Sequence, residues 1–337
     1  MLLSKAKIGL ALSGGGIRAA IFHLGVLQYM AEAGLYANIS SISSVSGASM
    51  CTGLIFAANN NKWPDQDEFK KIQPLVREII LHKNIQKSAL MRLTLSPAKW
   101  NNRVEILAKM LEKKWGIDGT LQDLPPYPYW EINCTTFETG GRFRFRRDYM
   151  GDNLIGYVQR PRLKISHMLA ASAAFPVLIG PYELDTEGLR FTRDKQGKGS
   201  EVKPLNSYSL WDGGVYDNLG LDALYKVCGR LDEHIDFLIV SNAGASLNIE
   251  TRGRPVHNLR RLLDISSAQC ENLRVRDFAL DVLKKKRGLY LKIGTNPENH
   301  YARNYPTTLN SPSARSFDEI FYNGYGAMEF AVGGYYL

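Results

Sequence analysis

Apolar positions along the chain fall into short runs whose spacing switches between strand-like and helix-like, with glycine-rich turns between them. Ile8 to Leu12 is a short apolar run closed by Ser13-Gly14-Gly15-Gly16. From Ile17 to Ala33, Ile21, Leu24, Gly25, Gln28 and Met30 stand among good helix formers, which predicts strand, glycine turn, helix. Gly34 is a helix stop. Ile39 to Val45 leans toward a second strand, and Ser46-Gly47 opens another helix through Ala58. A β-α-β-α order at these short spacings predicts a parallel sheet covered by helices.

The pattern changes at Lys62. From there to about Gly119 two cationic amphipathic segments follow, one striped by Ile72, Leu75, Val76 and Ile79, the other by Val104, Leu107, Ala108 and Leu111. Sheet patterning resumes at Trp130 to Phe137, and Glu138-Thr139-Gly140-Gly141 predicts a hairpin turn into Arg142-Phe143-Arg144-Phe145-Arg146. Period two puts those arginines on one face and the phenylalanines on the other, as in a half-buried strand. A helix is expected over Lys164 to Ala174, ending before Pro176, and Lys195 to Gly199 lies in a polar insertion. Leu210-Trp211-Asp212-Gly213-Gly214 reads as a strand end and turn. Ile235 to Ser241 is a further buried strand, Asn258 to Lys286 a long helix and Leu289 to Ile293 a last short strand.

The expected architecture is a three-layer α/β/α sandwich with a mostly parallel central sheet. It forms a single domain over 1–337, with core 7–61 and 120–241, a helical cap insertion 62–119 and a C-terminal helical extension 242–337. Composition narrows this further. The 337 residues carry 42 Lys+Arg against 33 Asp+Glu, a net charge of +9, and four cysteines. Cys51, Cys134, Cys228 and Cys270 are too far apart for a CxxC pair, so neither a zinc knuckle nor a disulfide scaffold is indicated. The uncharged stretch from Ala33 to Asn61 is interrupted by Asn38, Ser49, Thr52 and a serine cluster, which fits a buried strand-turn-helix better than a membrane span. The start Met1-Leu2-Leu3-Ser4-Lys5 lacks a signal-peptide pattern. A cytoplasmic protein, peripheral to the inner membrane face, is expected.

Three turns carry candidate chemistry. Ser44-Val45-Ser46-Gly47-Ala48 sits where a strand hands over to a helix, the context of a nucleophile elbow, with small residues two places either side of Ser46. Gly14, Gly15 and Gly16 place bare backbone N–H groups at the positive end of a helix dipole, where an anion belongs. No acidic residue ends the second strand, which weakens a dinucleotide reading, and no Gly-Lys-Ser/Thr follows, which removes the P-loop. An oxyanion hole is the remaining reading. For a base, His23, His82, His167, His234, His257 and His300 all lack the setting of a catalytic histidine. Asp212 ends a strand, and Gly213-Gly214 behind it leaves room for a partner at its carboxylate. Asp217 and Asp222 are weaker candidates, Asp217 as an N-cap.

Taken together, Ser13-Gly14-Gly15-Gly16-Ile17-Arg18, Ser44-Val45-Ser46-Gly47-Ala48, Ala171-Ser172-Ala173-Ala174-Phe175-Pro176 and Asp212-Gly213-Gly214-Val215-Tyr216-Asp217-Asn218 resemble, in order and spacing, the four sequence blocks of the patatin-like phospholipases. The resemblance runs from about Ile8 to Ser241. It implies a patatin-like fold and a serine acyl hydrolase acting on phospholipids or lysophospholipids. Ser46 would be the nucleophile and Asp212 the general base of a Ser-Asp dyad, with no cofactor or metal. Gly14, Gly15 and Gly16 would form the oxyanion hole, and Arg18 would orient that loop or meet the substrate phosphate. Gly47, Gly213 and Gly214 complete the motifs. Ser44 and Ala48 stand where the family's elbow carries glycines, and Ser13 where plant members carry Asp. The block Ala171 to Pro176 is expected to pack as a small-residue helix end against the helix that follows Ser46.

Two other function classes remain to be distinguished. One is a non-catalytic module holding an anionic lipid or nucleotide on the glycine loop and basic surface, which a fluorophosphonate probe separates from an enzyme. The other is nucleic-acid binding through Arg142, Arg144, Arg146 and Arg147, which the period-two split of Arg and Phe disfavours. The positive charge is concentrated: Lys62 to Lys114 holds 12 Lys+Arg against 6 Asp+Glu. That places two thirds of the surplus in the expected cap, which suits an anionic membrane surface as partner.

Overall fold

The computed structural model describes residues 3–88, 103–176, 179–245, 247, 255–295 and 300–334. Part of the expected cap, 89–102, and the C-terminal 335–337 lie outside the described residues. The chain begins β1 (Ile8–Leu12), α1 (Gly16–Glu32), β2 (Ile39–Val45), α2 (Gly47–Ala58), α3 (Gln66–His82) and α4 (Arg103–Trp115). It continues with β3 (Tyr129–Thr136), β4 (Arg142–Phe145), β5 (Tyr149–Asp152), β6 (Gly156–Gln159), α5 (Ile165–Ser172), β7 (Tyr182–Asp185), β8 (Phe191–Thr192), β9 (Glu201–Val202) and β10 (Ser207–Asp212). A short helix α6 (Gly214–Asp217), the ribbon β11 (Tyr225–Lys226) and β12 (Arg230–Leu231), and β13 (Phe237–Asn242) follow. Then come α7 (Pro255–Phe278), β14 (Gly288–Lys292), α8 (His300–Asn304) and α9 (Ala314–Val332).

One sheet runs in the order β14-β13-β1-β2-β3-β4-β5-β6-β8-β9. Its first five strands are parallel, as the near-continuous apolar runs predict, and from β3 onward the pairs are antiparallel. Helices lie around it, which is the expected α/β sandwich. Strand alternation feeds two separate cores. Ile8, Leu10, Leu12, Phe237 and Ile239 point into the larger one, against α1, α2 and α5, whereas Ala11, Leu238 and Val240 meet Leu219, Leu224, Phe278 and Val282 on the other face.

The segment after 241, expected as a helical extension, also contributes sheet: β14 adds in parallel beyond β13. Its last helix, α9, crosses α1 backbone to backbone. A Cβ on Gly25 would lie 2.0 Å from the Phe321 carbonyl, and one on Gly324 2.0 Å from the Phe22 carbonyl, so glycine at both places allows the crossing. In α3 the buried positions are Phe69, Val76 and Ile80, while Leu75, placed in the expected apolar stripe, is 49% exposed. The second stripe, Val104, Leu107, Ala108 and Leu111, is buried as expected.

β3 positions the site. Thr135 and Cys134 pair with β4 along one edge, so β2 and β10 must share the other. β2 arrives in parallel and ends with Val45 opposite Asn133; β10 arrives from the opposite direction and ends with Asp212 opposite Cys134. The two strands abut head to head. Their C-terminal ends therefore deliver Ser46 and Asp212 to the same point.

Candidate active site

Ser46 occupies a backbone conformation that side chains rarely adopt, with φ 52° and ψ −117°. Such a residue costs on the order of 1–3 kcal/mol and persists only where its surroundings impose it. Here they do. The Ser46 N–H donates to Ser172 Oγ at 3.0 Å, and a Cβ on Gly47 would lie 1.9 Å from the Gly16 carbonyl oxygen, so elbow and glycine loop are packed back to back. Ser44 is buried, with its hydroxyl 2.9 Å from Ser49 Oγ and accepting from Trp130 Nε1 at 2.9 Å. A glycine there would leave the indole N–H without that acceptor.

Asp212 is buried, its carboxylate accepts the Gly214 N–H at 2.7 Å, and the neighbouring Ser46 side chain acts with that N–H to favour its ionised form. Burial pushes its pKa up to about 6, against the opposing pull of those two donors. The backbone around it is pinned: Asp212 N–H donates to Ala174 O at 3.1 Å and Gly213 N–H to Ser172 O at 3.3 Å. Gly213 also lies against Asn133, whose carbonyl oxygen would stand 2.5 Å from an added Cβ.

The glycine loop turns through positive φ at Gly15 (146°) and Gly16 (63°) before α1 begins. Of the three glycines expected to form an oxyanion hole, Gly14 gives its N–H to Asn218 O at 3.0 Å. Among the described residues the N–H groups of Gly15 and Gly16 donate to no backbone carbonyl.

Arg18 does not face a substrate. It is 1% exposed, and its guanidinium donates to Ala243 O at 3.0 Å, to Tyr305 O and to Thr307 Oγ1 at 3.2 Å. It ties the start of α1 to two distant segments, so only the loop-orienting half of its expected role survives. His23 is buried with both ring nitrogens used: Nε2–H donates to Ser13 O and Nδ1 accepts from the Ser241 hydroxyl, both at 2.9 Å. Burial lowers its pKa to about 4, so it is neutral. His82 and His167 face Glu78 and Glu105 at 3.2 and 3.7 Å, and His234 stacks on Tyr129. The side chains of His257 and His300 lie outside the described residues.

Asp217 accepts from the N–H groups of Leu219 and Asp222, and Asp222 pairs with Arg142 at 3.1 Å; neither is placed with Ser46 by any of these bonds. Sequence reading left out Ser172, Asn133 and Asn218 as site builders. Ser172 was visible only as a small residue in a helix end. Its hydroxyl in fact donates to Asn133 O at 2.8 Å while holding Ser46, and Asn133 Nδ2 donates to Ser43 Oγ and Ser44 O at 2.9 and 3.0 Å. Among the described residues no group of His, Cys, Asp or Glu side chains is arranged to hold a metal ion, and no helix is long and apolar enough to cross a membrane.

Comparison with known proteins identifies the family. A family model described as patatin-like phospholipase matches residues 10–225. Among solved structures, human GIVD cytosolic phospholipase A2 in complex with methyl gamma-linolenyl fluorophosphonate and terbium chloride aligns with TM-score 0.56 at 12% identity, covering 98% of this chain and 58% of that one. Another structure of the human enzyme aligns over 70% of this chain and 42% of that one, with 14% identity and TM-score 0.47. VipD from Legionella pneumophila aligns at 17% identity and TM-score 0.46, covering 97% of this chain and 67% of that one. The chain thus spans about half the length of the human chains it matches. No curated protein matches the sequence.

Proposed function

The chain belongs to the patatin-like phospholipase family, a family of lipid acyl hydrolases, and on that premise we propose that it cleaves fatty-acyl esters of phospholipids or lysophospholipids with Ser46 and Asp212 as its dyad. The observation that carries this reading is the meeting of β2 and β10 on one edge of β3, which brings Ser46 beside the buried Asp212 carboxylate, whose pKa is raised to about 6. A carboxylate of ordinary acidity is a weak base at neutral pH; one near 6 is better matched to take a serine proton while staying ionised.

In the proposed reaction Asp212 accepts the Ser46 proton as Oγ bonds to the acyl carbonyl carbon. The N–H groups of Gly15 and Gly16 receive the developing oxyanion, each contributing about 3 kcal/mol. Collapse breaks the ester C–O bond, and the leaving oxygen takes the proton from Asp212. Water then gives a proton to Asp212 and attacks the acyl-enzyme; the fatty acid departs and the proton returns to Ser46. Phe175 and Val215, 37% and 51% exposed, follow closely on Ala174 and Gly214 and offer apolar surface for an acyl chain. The basic cap would meet an anionic membrane surface through the exposed Lys113 and Lys114 at the end of α4.

The test is covalent labelling with a fluorophosphonate followed by peptide mapping, alongside hydrolysis of a soluble ester by Ser46→Ala and Asp212→Asn. Label on Ser46 and loss of hydrolysis in both folded variants are expected. Label elsewhere, or full activity in either variant, overturns the dyad. Incubation with mixed membrane lipids and mass spectrometry of the products then identifies the substrate class.

A further inference from the structure

Beyond β2, the sheet face opposite α1 and α2 turns from apolar to cationic. Register places Arg144 across from Asn133 and Gly151, and Tyr149 across from Gln159, so the side chains of Arg142, Arg144, Tyr149, Tyr157 and Gln159 share this face. The expected half-buried strand is not what forms. Arg142 and Arg144 are 6% and 4% exposed.

Buried guanidinium groups require compensation, and here it is uneven. Glu131 and Asp222 are the carboxylates that reach the face, and both are engaged by Arg142, with the Asp222 contact at 3.1 Å. Burial opposes ionisation of Glu131, yet Arg142, Arg144 and Arg146 hold its pKa down at about 2. Arg146 stands 4.0 Å from Glu131 and lies over the Tyr129 and Tyr149 rings. Among the described residues no carboxylate forms an ion pair with Arg144 within 4.0 Å. Its Nε has no partner among the described residues, and Nη2 makes only long bonds of 3.4 Å to Arg142 O and Asn153 Oδ1. Gln159 Nε2 is a second buried donor on this face without a partner among the described residues.

Two lysines add to the surplus. Lys195 Nζ lies 5.4 Å from the Tyr149 ring centre and 5.9 Å from that of Tyr157, and Lys226 Nζ donates to Asp222 O at 2.7 Å. Burial and then Arg144 lower the Lys195 pKa to about 8, while burial and Arg142 lower that of Lys226. The other nearby acids are spoken for: Asp148 faces Arg147 at 3.6 Å, Asp152 accepts from the Thr136 and Thr139 hydroxyls, and Asp217 takes backbone N–H groups and faces Arg274 at 3.6 Å.

We propose that this face is a binding site for a phosphate dianion, with Arg144 and Gln159 donating from the floor, Arg146 and Lys226 at the sides and Lys195 closing over it. A phosphate ester carries about 1.5 to 2 negative charges at neutral pH and three strong acceptor oxygens, which matches unpaired donors set in surplus positive charge. Lys195 is exposed and sits in the polar insertion between β8 and β9, so it is the movable wall.

The probe is inorganic phosphate, titrated calorimetrically into the full chain at pH 7. Saturable one-to-one binding is expected, weakened about tenfold or more by Lys195→Ala and by Arg144→Gln. At pH 8, where Lys195 is about half protonated, binding should take up about half a proton, read from heats in two buffers of different ionisation enthalpy. Lys195→Ala tests the site even if Arg144→Gln fails to fold. Absence of saturable binding, or binding unchanged by Lys195→Ala, overturns the proposal. Glycerol 3-phosphate and phosphatidate vesicles, the latter with the Ser46→Ala chain so that no lipid is consumed, separate the sources. Lys195-dependent binding of the soluble ester alone assigns a free metabolite, and of the vesicles a lipid head group.

Discussion

The hydroxyl of Ser172 holds the backbone N–H of Ser46 while the carbonyl of Ser172 holds that of Gly213, so one residue spans both halves of the proposed dyad. The spacing between nucleophile and base thus depends on a side chain that touches neither reacting atom.

Ser172→Ala removes the acceptor for Ser46 and leaves that buried N–H unpaired. Stability should fall by about 1–3 kcal/mol, and kcat on a soluble ester by tenfold or more with KM little changed, because misplacement by a fraction of an ångström is felt at the reacting atoms. Thermal unfolding and steady-state kinetics check this. An unchanged kcat in the folded variant would remove Ser172 from the site.

Asp212 gives a pH signature. As a base it must be ionised, so kcat/KM should rise through an apparent pKa of about 6 and level off above pH 7. Its effect on stability has the opposite direction. Because the folded pKa of about 6 exceeds the ordinary aspartate value of 3.8, the native state binds more protons across that window, and stability falls as pH rises through it. Asp212→Asn should therefore be more stable than the parent at pH 7, by at most about 3 kcal/mol, with the gap closing as pH drops from 6 to 4. Paired thermal melts across that range decide the matter; a pH-independent gap would show that Asp212 is not raised.

Gly47→Ala puts a methyl group 1.9 Å from where the Gly16 carbonyl now stands. Since both neighbours are backbone, the glycine loop must move, taking the Gly15 and Gly16 donors with it. Loss of at least 100-fold in kcat is expected, with the fold retained by circular dichroism. Comparable activity would mean that these donors do not serve the oxyanion.

Lys113 and Lys114 end α4 exposed, whereas Lys109 is paired with Glu105 at 3.0 Å. At about 1 kcal/mol per lysine near an anionic bilayer, neutralising the first two should weaken vesicle binding about 30-fold. Lys109→Gln should do less. Flotation with anionic and zwitterionic vesicles measures both, and hydrolysis of a soluble ester should be spared; unchanged flotation assigns these charges to solvation.

Local patterning made much of this legible. The glycine turn, the strained serine and the Asp-Gly-Gly turn are each a few residues long, and their chemistry follows from strand ends and small neighbours. What was hidden is contact between distant segments. Gly14 loses its N–H to Asn218, Arg18 is taken by Ala243, Tyr305 and Thr307, and Lys195 reaches from its insertion over the rings of Tyr149 and Tyr157. Leu75 shows a subtler limit. Two adjacent apolar lines on α3 both satisfy helical spacing, and only the position of the neighbouring elements decides that Phe69, Val76 and Ile80 are buried.

The head-to-head meeting of β2 and β10 on one edge of β3 makes catalysis a gauge of strand alignment. A slip of β10 by one residue along β3 would carry Asp212 about 3.3 Å away and turn its carboxylate to the opposite face, with the hydrogen-bond ladder still able to form. Misaligned molecules would look folded to any probe of backbone structure and be silent in turnover. During refolding, recovery of sheet signal should therefore run ahead of recovery of hydrolysis, and the interval between them measures how long the last strand takes to find its place.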